Sequence, residues 1–157
     1  INAFILVLAC GLLGMSWCAN PNASAQKLRA KAQSYTSQQP LYSEYKGVRI
    51  GMSLQEVRSK LGEPLAKAAD QDFYVFSEKE TAQIAYNASQ RVKTISVDYL
   101  GGVGAPEYKA VIGEEAEVNP DGSIYKLIHY ESLGFWVSFN RSAGIVPVVT
   151  VTIQTMK

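Results

Sequence analysis

His129 is the only histidine in the 157-residue chain, and any histidine-based catalysis would have to be built around it. A base needs a nucleophile or acid within hydrogen-bond reach. No cysteine or serine elbow accompanies His129, and one histidine cannot form a His-rich metal site. It reads as a strand residue that pairs or packs. The carboxylates fall in two groups: Asp70 with Asp72, and Glu114, Glu115 and Glu117 with Asp121. A glycosidase holds two carboxylates at a defined separation across a cleft. Neighbours on one loop do not supply that, so both groups read as solvated acidic loops. The second group, with Asn119, lacks the alternating oxygen ligands of an EF-hand loop. Gly101-Gly102-Val103-Gly104 lacks the Gly-Lys-Ser/Thr ending of a phosphate loop and reads as a joint. Asn87-Ala88-Ser89 and Asn140-Arg141-Ser142 match glycosylation acceptors and read as turns. No catalytic, cofactor-binding or metal-binding set emerges, and no cofactor is expected.

The aromatic residues carry more information. Phe135, Val137 and Phe139 share one face of a strand, so Trp136, Ser138 and Asn140 point the other way. With a turn at 131–134, Trp136 falls opposite His129, and Tyr125 and Leu127 share its face. Earlier in the chain the corresponding face carries Phe73, Val75, Gln83 and Ala85. Tryptophan, tyrosine and histidine on an open sheet have the composition of an interface core. Trp136, His129, Tyr125, Leu127, Phe73 and Val75 are therefore the candidate protein-binding residues. The other reading is that the N-terminal segment or another part of the chain covers this face.

These positions require strands, and a helix to back them. Ser53-Leu54-Gln55-Glu56 is a capping box. Leu54, Val57 and Leu61 follow on one helical face, Gly62 suits the position after the helix, and Pro64 blocks continuation. Strands are expected over 73–76, 81–86 and 92–99, with a charged turn at Glu78-Lys79-Glu80. Ile95, Val97 and Tyr99 alternate with Thr94, Ser96 and Asp98, the pattern of a sheet covered on one side. The pattern then recurs. Gly102 to Gly113 repeats the spacing of Gly51 to Gly62, and Ile84-Ala85-Tyr86-Asn87 aligns with Val137-Ser138-Phe139-Asn140. A second helix should carry Tyr108, Val111 and Ile112, with Pro106 at its first position. The expected fold class is α+β. It consists of two tandem units, 45–101 and 102–157, each a short helical segment packed on a three- to four-stranded antiparallel sheet.

Charge and the N-terminus bound the setting. Fifteen Lys and Arg against 14 Asp and Glu leave a net charge of +1. That balance excludes a typical nucleic-acid binder and gives little steering toward anionic membranes. Residues 1–25 are uncharged, Phe4–Cys18 is almost wholly apolar, and Ala23-Ser24-Ala25 suits signal peptidase. A signal peptide over 1–25 and a polar tether over 26–44 are expected. The alternatives are an uncleaved anchor, which is short of the ~20 residues a span needs, and lipidation at Cys10 in Val7-Leu8-Ala9-Cys10. Both cysteines, Cys10 and Cys18, fall in this leader, so the mature chain would have no disulfide and no thiolate site.

The stretch Tyr45-Lys46-Gly47-Val48-Arg49-Ile50-Gly51-Met52-Ser53-Leu54-Gln55-Glu56-Val57, the Leu61-Gly62-Glu63-Pro64 after it, and Arg91–Val97 resemble the SmpA/OmlA (BamE-like) family. The same unit occurs in tandem in the β-lactamase inhibitory protein fold. The resemblance covers 45–100 well and 102–153 weakly. It implies a non-enzymatic bacterial cell-envelope protein, periplasmic or secreted, that binds another envelope protein, for instance in outer-membrane assembly or maintenance. It implies no nucleic acid and no small-molecule cofactor, and membrane association only through a partner or an uncleaved leader. The chain departs from the family in three ways: Cys10 is followed by apolar residues rather than a polar linker, two units stand where the family has one, and the disulfides of the tandem inhibitors are missing. An inhibitor of an extracytoplasmic enzyme such as a β-lactamase or protease is the first alternative, with Glu78–Glu80 or Asp121–Ser123 as plugs. A hydrolase using scattered carboxylates is the second. Expressed behind a start codon and exported, the protein should begin at Gln26 by N-terminal sequencing; an intact leader or an acylated Cys10 is the contrary result.

Overall fold

Helix α1 (Leu54–Leu61) begins at its capping box: the Glu56 N–H donates to Ser53 Oγ at 3.3 Å, and the Ser53 N–H donates to the Glu56 carboxylate at 2.7 Å. The helix ends at Gly62, whose φ of 83° is open to glycine at little steric cost. Val57 is fully buried, and Leu54 and Leu61 pack half-buried against the same core. The chain reaches the helix through a two-residue turn, Lys46-Gly47, in which both residues have positive φ and Tyr45 and Val48 exchange backbone hydrogen bonds. Gly51, Met52 and Leu54 then bond to the backbone of Gln90 and Val92, which fixes the start of α1 over the sheet.

The computed structural model describes residues 39–156. After α1 come β1 (Ala66–Lys67), β2 (Gln71–Ser77), β3 (Glu80–Tyr86) and β4 (Val92–Leu100). Helix α2 (Tyr108–Ile112) follows, then β5 (Ile124–Tyr130), a single 3-10 turn at Glu131–Leu133, β6 (Phe135–Arg141) and β7 (Val148–Thr155). The strands form one antiparallel sheet in the order β1-β2-β3-β4-β7-β6-β5. The centre is the β4–β7 pair, which places Ile95 beside Ile153 and Val97 beside Val151.

Alternation along each strand sends the apolar residues to the face that carries the helices. One row across that face reads Asp72, Ile84, Ile95, Ile153, Val137, Ile128, and the next Tyr74, Ala82, Val97, Val151, Phe139, Lys126. The fully buried Ile84, Ile95, Val97, Val137, Val151 and Ile153 form the middle of the core.

The mixed α and β character and the antiparallel pairing agree with the sequence reading, but the architecture is mostly β. One continuous seven-stranded sheet stands where two separate sheets were expected. The fourth strand of the first half is β1. Helix α2 is only five residues, has no side-chain cap, and starts after Glu107, so Pro106 precedes it instead of opening it. Asn140 lies inside β6 and not in a turn. The expected leader over 1–25, with Cys10, and the expected tether as far as residue 38 lie outside the described residues. The end of that tether is anchored: Tyr42 packs on the core, and Glu44 accepts a 2.6 Å hydrogen bond from Arg49. Among the described residues, no helix is long and apolar enough to cross a membrane.

Val57 is the one α1 residue with no exposure, so its truncation reads how firmly α1 is tied down. Val57→Ala should lower unfolding stability in urea by about 2 kcal/mol, while Gln55→Ala on the exposed side should stay within about 0.5 kcal/mol.

Candidate functional site

The face of the sheet that, among the described residues, carries no helix is laid out in rows by strand register. The first row reads Val75, Thr81, Asp98, Thr150, Asn140, Tyr125; the second Phe73, Gln83, Ser96, Thr152, Ser138, Leu127; the third Gln71, Ala85, Thr94, Gln154, Trp136, His129. The side-chain chemistry therefore changes across the sheet. Its centre is hydroxyl and amide, and its flanks are apolar. Ser96 and Thr152 hydroxyls lie 3.2 Å apart, and Thr150 donates to Asp98 at 2.6 Å. Ser138, between Leu127 and Thr152, is buried.

Trp136, His129, Tyr125 and Leu127 come together on β5 and β6, as their parity requires. Trp136 pairs with His129 and Leu127 with Ser138. Trp136 and Leu127 are half-buried, His129 is exposed, and Tyr125 is 64 % exposed. Phe73 and Val75 lie on the same face, but on β2. Five strand spacings separate Phe73 from Leu127, about 24 Å. The six candidates thus form two patches divided by the polar centre.

The helix side holds two polar clusters. Asp72, expected in a solvated loop, is completely buried in β2. Arg58 of α1 grips it with two prongs, Nε to Oδ2 at 2.9 Å and Nη2 to Oδ1 at 2.7 Å, and the Tyr86 hydroxyl donates to Oδ2 at 3.0 Å. The sequence signal was Arg58 itself: it stands four residues after Leu54, inside the apolar stripe, where only a buried partner would hold a cation. The hydrogen bonds to Asp72 raise the Arg58 pKa still further. The Tyr74 hydroxyl beside this cluster has no hydrogen-bond partner, and burial, then the charge of Asp72, lifts its pKa to about 12. In the second cluster the Tyr45 hydroxyl donates to Glu80 at 2.8 Å, and Lys46 lies 3.3 Å from the same carboxylate and 4.8 Å from the centre of the Phe76 ring. Glu80 is therefore a strand residue in use, not part of a free charged turn. Burial is the main cause of the raised Tyr42 and Tyr45 pKa values, followed by Tyr99 for the former and Glu80 for the latter.

The acidic loop is solvated. Glu114 pairs with Lys126 at 2.6 Å and Glu115 with Lys109, around a cleft of about 100 Å³. Among the described residues no group of three or more His, Cys, Asp and Glu could hold a metal ion. Sequence reasoning passed over one surface feature, the loop between β6 and β7, whose Gly144-Ile145-Val146-Pro147 carries no polar side chain. Ile145 there is 100 % exposed. The chain matches no protein-family model, no curated protein and no solved structure.

The tyrosines give a pH dependence with a definite sign. Burial pushes the Tyr74 hydroxyl up to about 12 from its ordinary value of 10.0, and burial also raises Tyr42, Tyr45 and Tyr86. The folded state then holds its protons more tightly than the unfolded chain. The contribution is complete below about pH 10 and is lost as pH rises through the folded values. Tyrosinate absorbance should show a late-titrating group whose ionisation coincides with unfolding, and Tyr74→Phe should shrink it; nine tyrosines titrating together with the fold intact is the opposite outcome.

Proposed function

We propose that this domain is a non-enzymatic protein-binding module of the bacterial cell envelope, which docks another envelope protein on the helix-free face of its sheet. The observation that carries this reading is the make-up of that face. Trp136, Leu127 and Tyr125 form an apolar anchor at one flank, beside a strip whose half-buried Thr152 and Ser96 hydroxyls are able to exchange hydrogen bonds. An aromatic anchor bordered by polar groups is the usual anatomy of a protein interface. The resemblance of Tyr45–Pro64 to SmpA/OmlA proteins supports the envelope setting. The order of a helix followed by antiparallel strands, met at α1 to β4 and again at α2 to β7, supports reading the chain as two tandem units. On that reading the two units merge their sheets through their last strands.

The alternatives have less behind them. For a hydrolase, the carboxylates would have to converge. Asp72 is enclosed by Arg58 and Tyr86, and Glu114 and Glu115 face lysines. For an inhibitor plugging a cleft with Glu78–Glu80, Glu80 would have to leave Tyr45 and Lys46.

Trp136→Ala and Leu127→Asp should each weaken retention of the partner from an envelope extract at least tenfold, since central aromatic and apolar anchors carry most interface energy. Urea midpoints of the Trp136→Ala variant should stay near wild type. Lys60→Glu on α1 should bind normally. Loss of binding with Lys60→Glu, but not with Trp136→Ala, would move the interface to the helix side and sink this reading.

A further inference from the structure

Two adjacent loops at one end of the sheet end in bare aliphatic side chains. The joint after β4 presents Leu100, 40 % exposed, and Val103, 61 % exposed. The β6–β7 loop presents Ile145, 100 % exposed, and Val146, 64 % exposed. The loops lie side by side: a methyl added at Gly101 would lie 3.8 Å from Val103 and 3.9 Å from Val146. Leu100 also pairs with Val148 across the central strands. The four therefore form one patch. The β6–β7 loop is held in shape at its base, where the Ser142 N–H donates to the Val148 carbonyl and the Val148 N–H donates to Ser142 Oγ, both at 2.9 Å, and by buried Pro147.

Charge decides what such a tip can enter. From Tyr99 to Pro106 and from Ser142 to Met156 there is no charged residue. The charges around the base cancel in sign: Glu78 and Asp98 against Lys79 and Arg141. Protein hot spots are rich in tryptophan, tyrosine and arginine and poor in valine and leucine. The tip has the opposite composition, and the aromatic residues lie on the open face instead. Aliphatic side chains on convex, uncharged loops suit hydrocarbon, whose recognition needs neither hydrogen bonds nor a matching pocket.

We infer that the Leu100–Gly104 and Ser142–Pro147 loops form a membrane-contacting tip that dips into the interfacial layer of an uncharged lipid bilayer. The depth is that of interfacial elements, about 5–10 Å, and the association is weak and reversible, on the order of a single acyl chain. Balanced net charge is no obstacle, because the contact is apolar. The tip is separate from the Trp136 patch, so the inference does not depend on what occupies the open face.

The test uses the full chain with Cys10→Ser and Cys18→Ser and one environment-sensitive fluorophore on Ile145→Cys, Val103→Cys or, as control, Leu65→Cys. Leu65 is 73 % exposed and lies beside β1, away from the tip. Vesicles of phosphatidylcholine and phosphatidylethanolamine are added, with or without a nitroxide near the headgroup. The expected result is a blue shift and nitroxide quenching at positions 145 and 103, with water-like emission at 65. Because the signal is local, it reads the tip even if the N-terminal segment also holds the chain on the vesicle. Water-like emission at 145 and 103, with or without vesicle binding, overturns the inference. Equal quenching at 65 overturns it as non-specific adsorption. A blue shift at 145 before any vesicle is added overturns it in favour of a protein contact.

Discussion

Seven consecutive residue pairs, Thr94–Gln154 through Leu100–Val148, join β4 to β7 and turn a four-stranded and a three-stranded run into one sheet. Everything about the two faces depends on the register of that joint. Because the side-chain period is two, a slip of one residue would send the apolar set of one half to the solvent side. In the observed register Ile95 meets Ile153 and Val97 meets Val151, so the inward-facing isoleucines and valines of both halves line one core. The same register aligns Ser96 with Thr152 on the other side, and so produces the polar centre between the Trp136 and Phe73 patches.

Polar side chains then hold the covering elements in place. Arg58 and Asp72 tie α1 to β2, with Tyr86 filling a further acceptor position on the carboxylate. Tyr45 and Lys46 tie the leading segment to Glu80 at the other end of β3. A buried ion pair of this kind is weak evidence of net stability, but losing either partner leaves an uncompensated charge. It also fixes geometry: the two-pronged grip admits one orientation of the helix over the sheet.

What the sequence made legible was local. Ser53 and Glu56 mark the start of α1 because a capping box satisfies specific backbone donors and needs no tertiary partner. Trp136 could be placed opposite His129, and away from Phe135, because strand parity is a property of the chain alone. The union of the halves was not legible, because nothing in the periodicity of Val92–Leu100 or Val148–Thr155 says which strand lies beside which. Asp72 misled because a carboxylate at a core position breaks the alternation, and its justification is Arg58, 14 residues earlier. Phe73 and Val75 were legible as residues of the same face as Trp136, but their distance from it was not. Facing follows from parity, whereas proximity follows from strand order.

The two edges of the sheet are unlike. On one side β1 has only two residues, and β2 beyond it breaks register between Val75 and Ser77. Short strands and bulges give an incoming chain little to pair with. On the other side β5 runs through seven regular pairs with β6 and contains no proline, and its residues Ile124-Tyr125-Lys126-Leu127-Ile128-His129-Tyr130 have strong strand propensity. Lys126 is the single cation in that run, and Glu114 already neutralises it. The sheet is therefore polar in the sense of a growing polymer: among the described residues, templated addition of a further strand has one viable end, and crowding during synthesis would expose the chain to mispairing through β5.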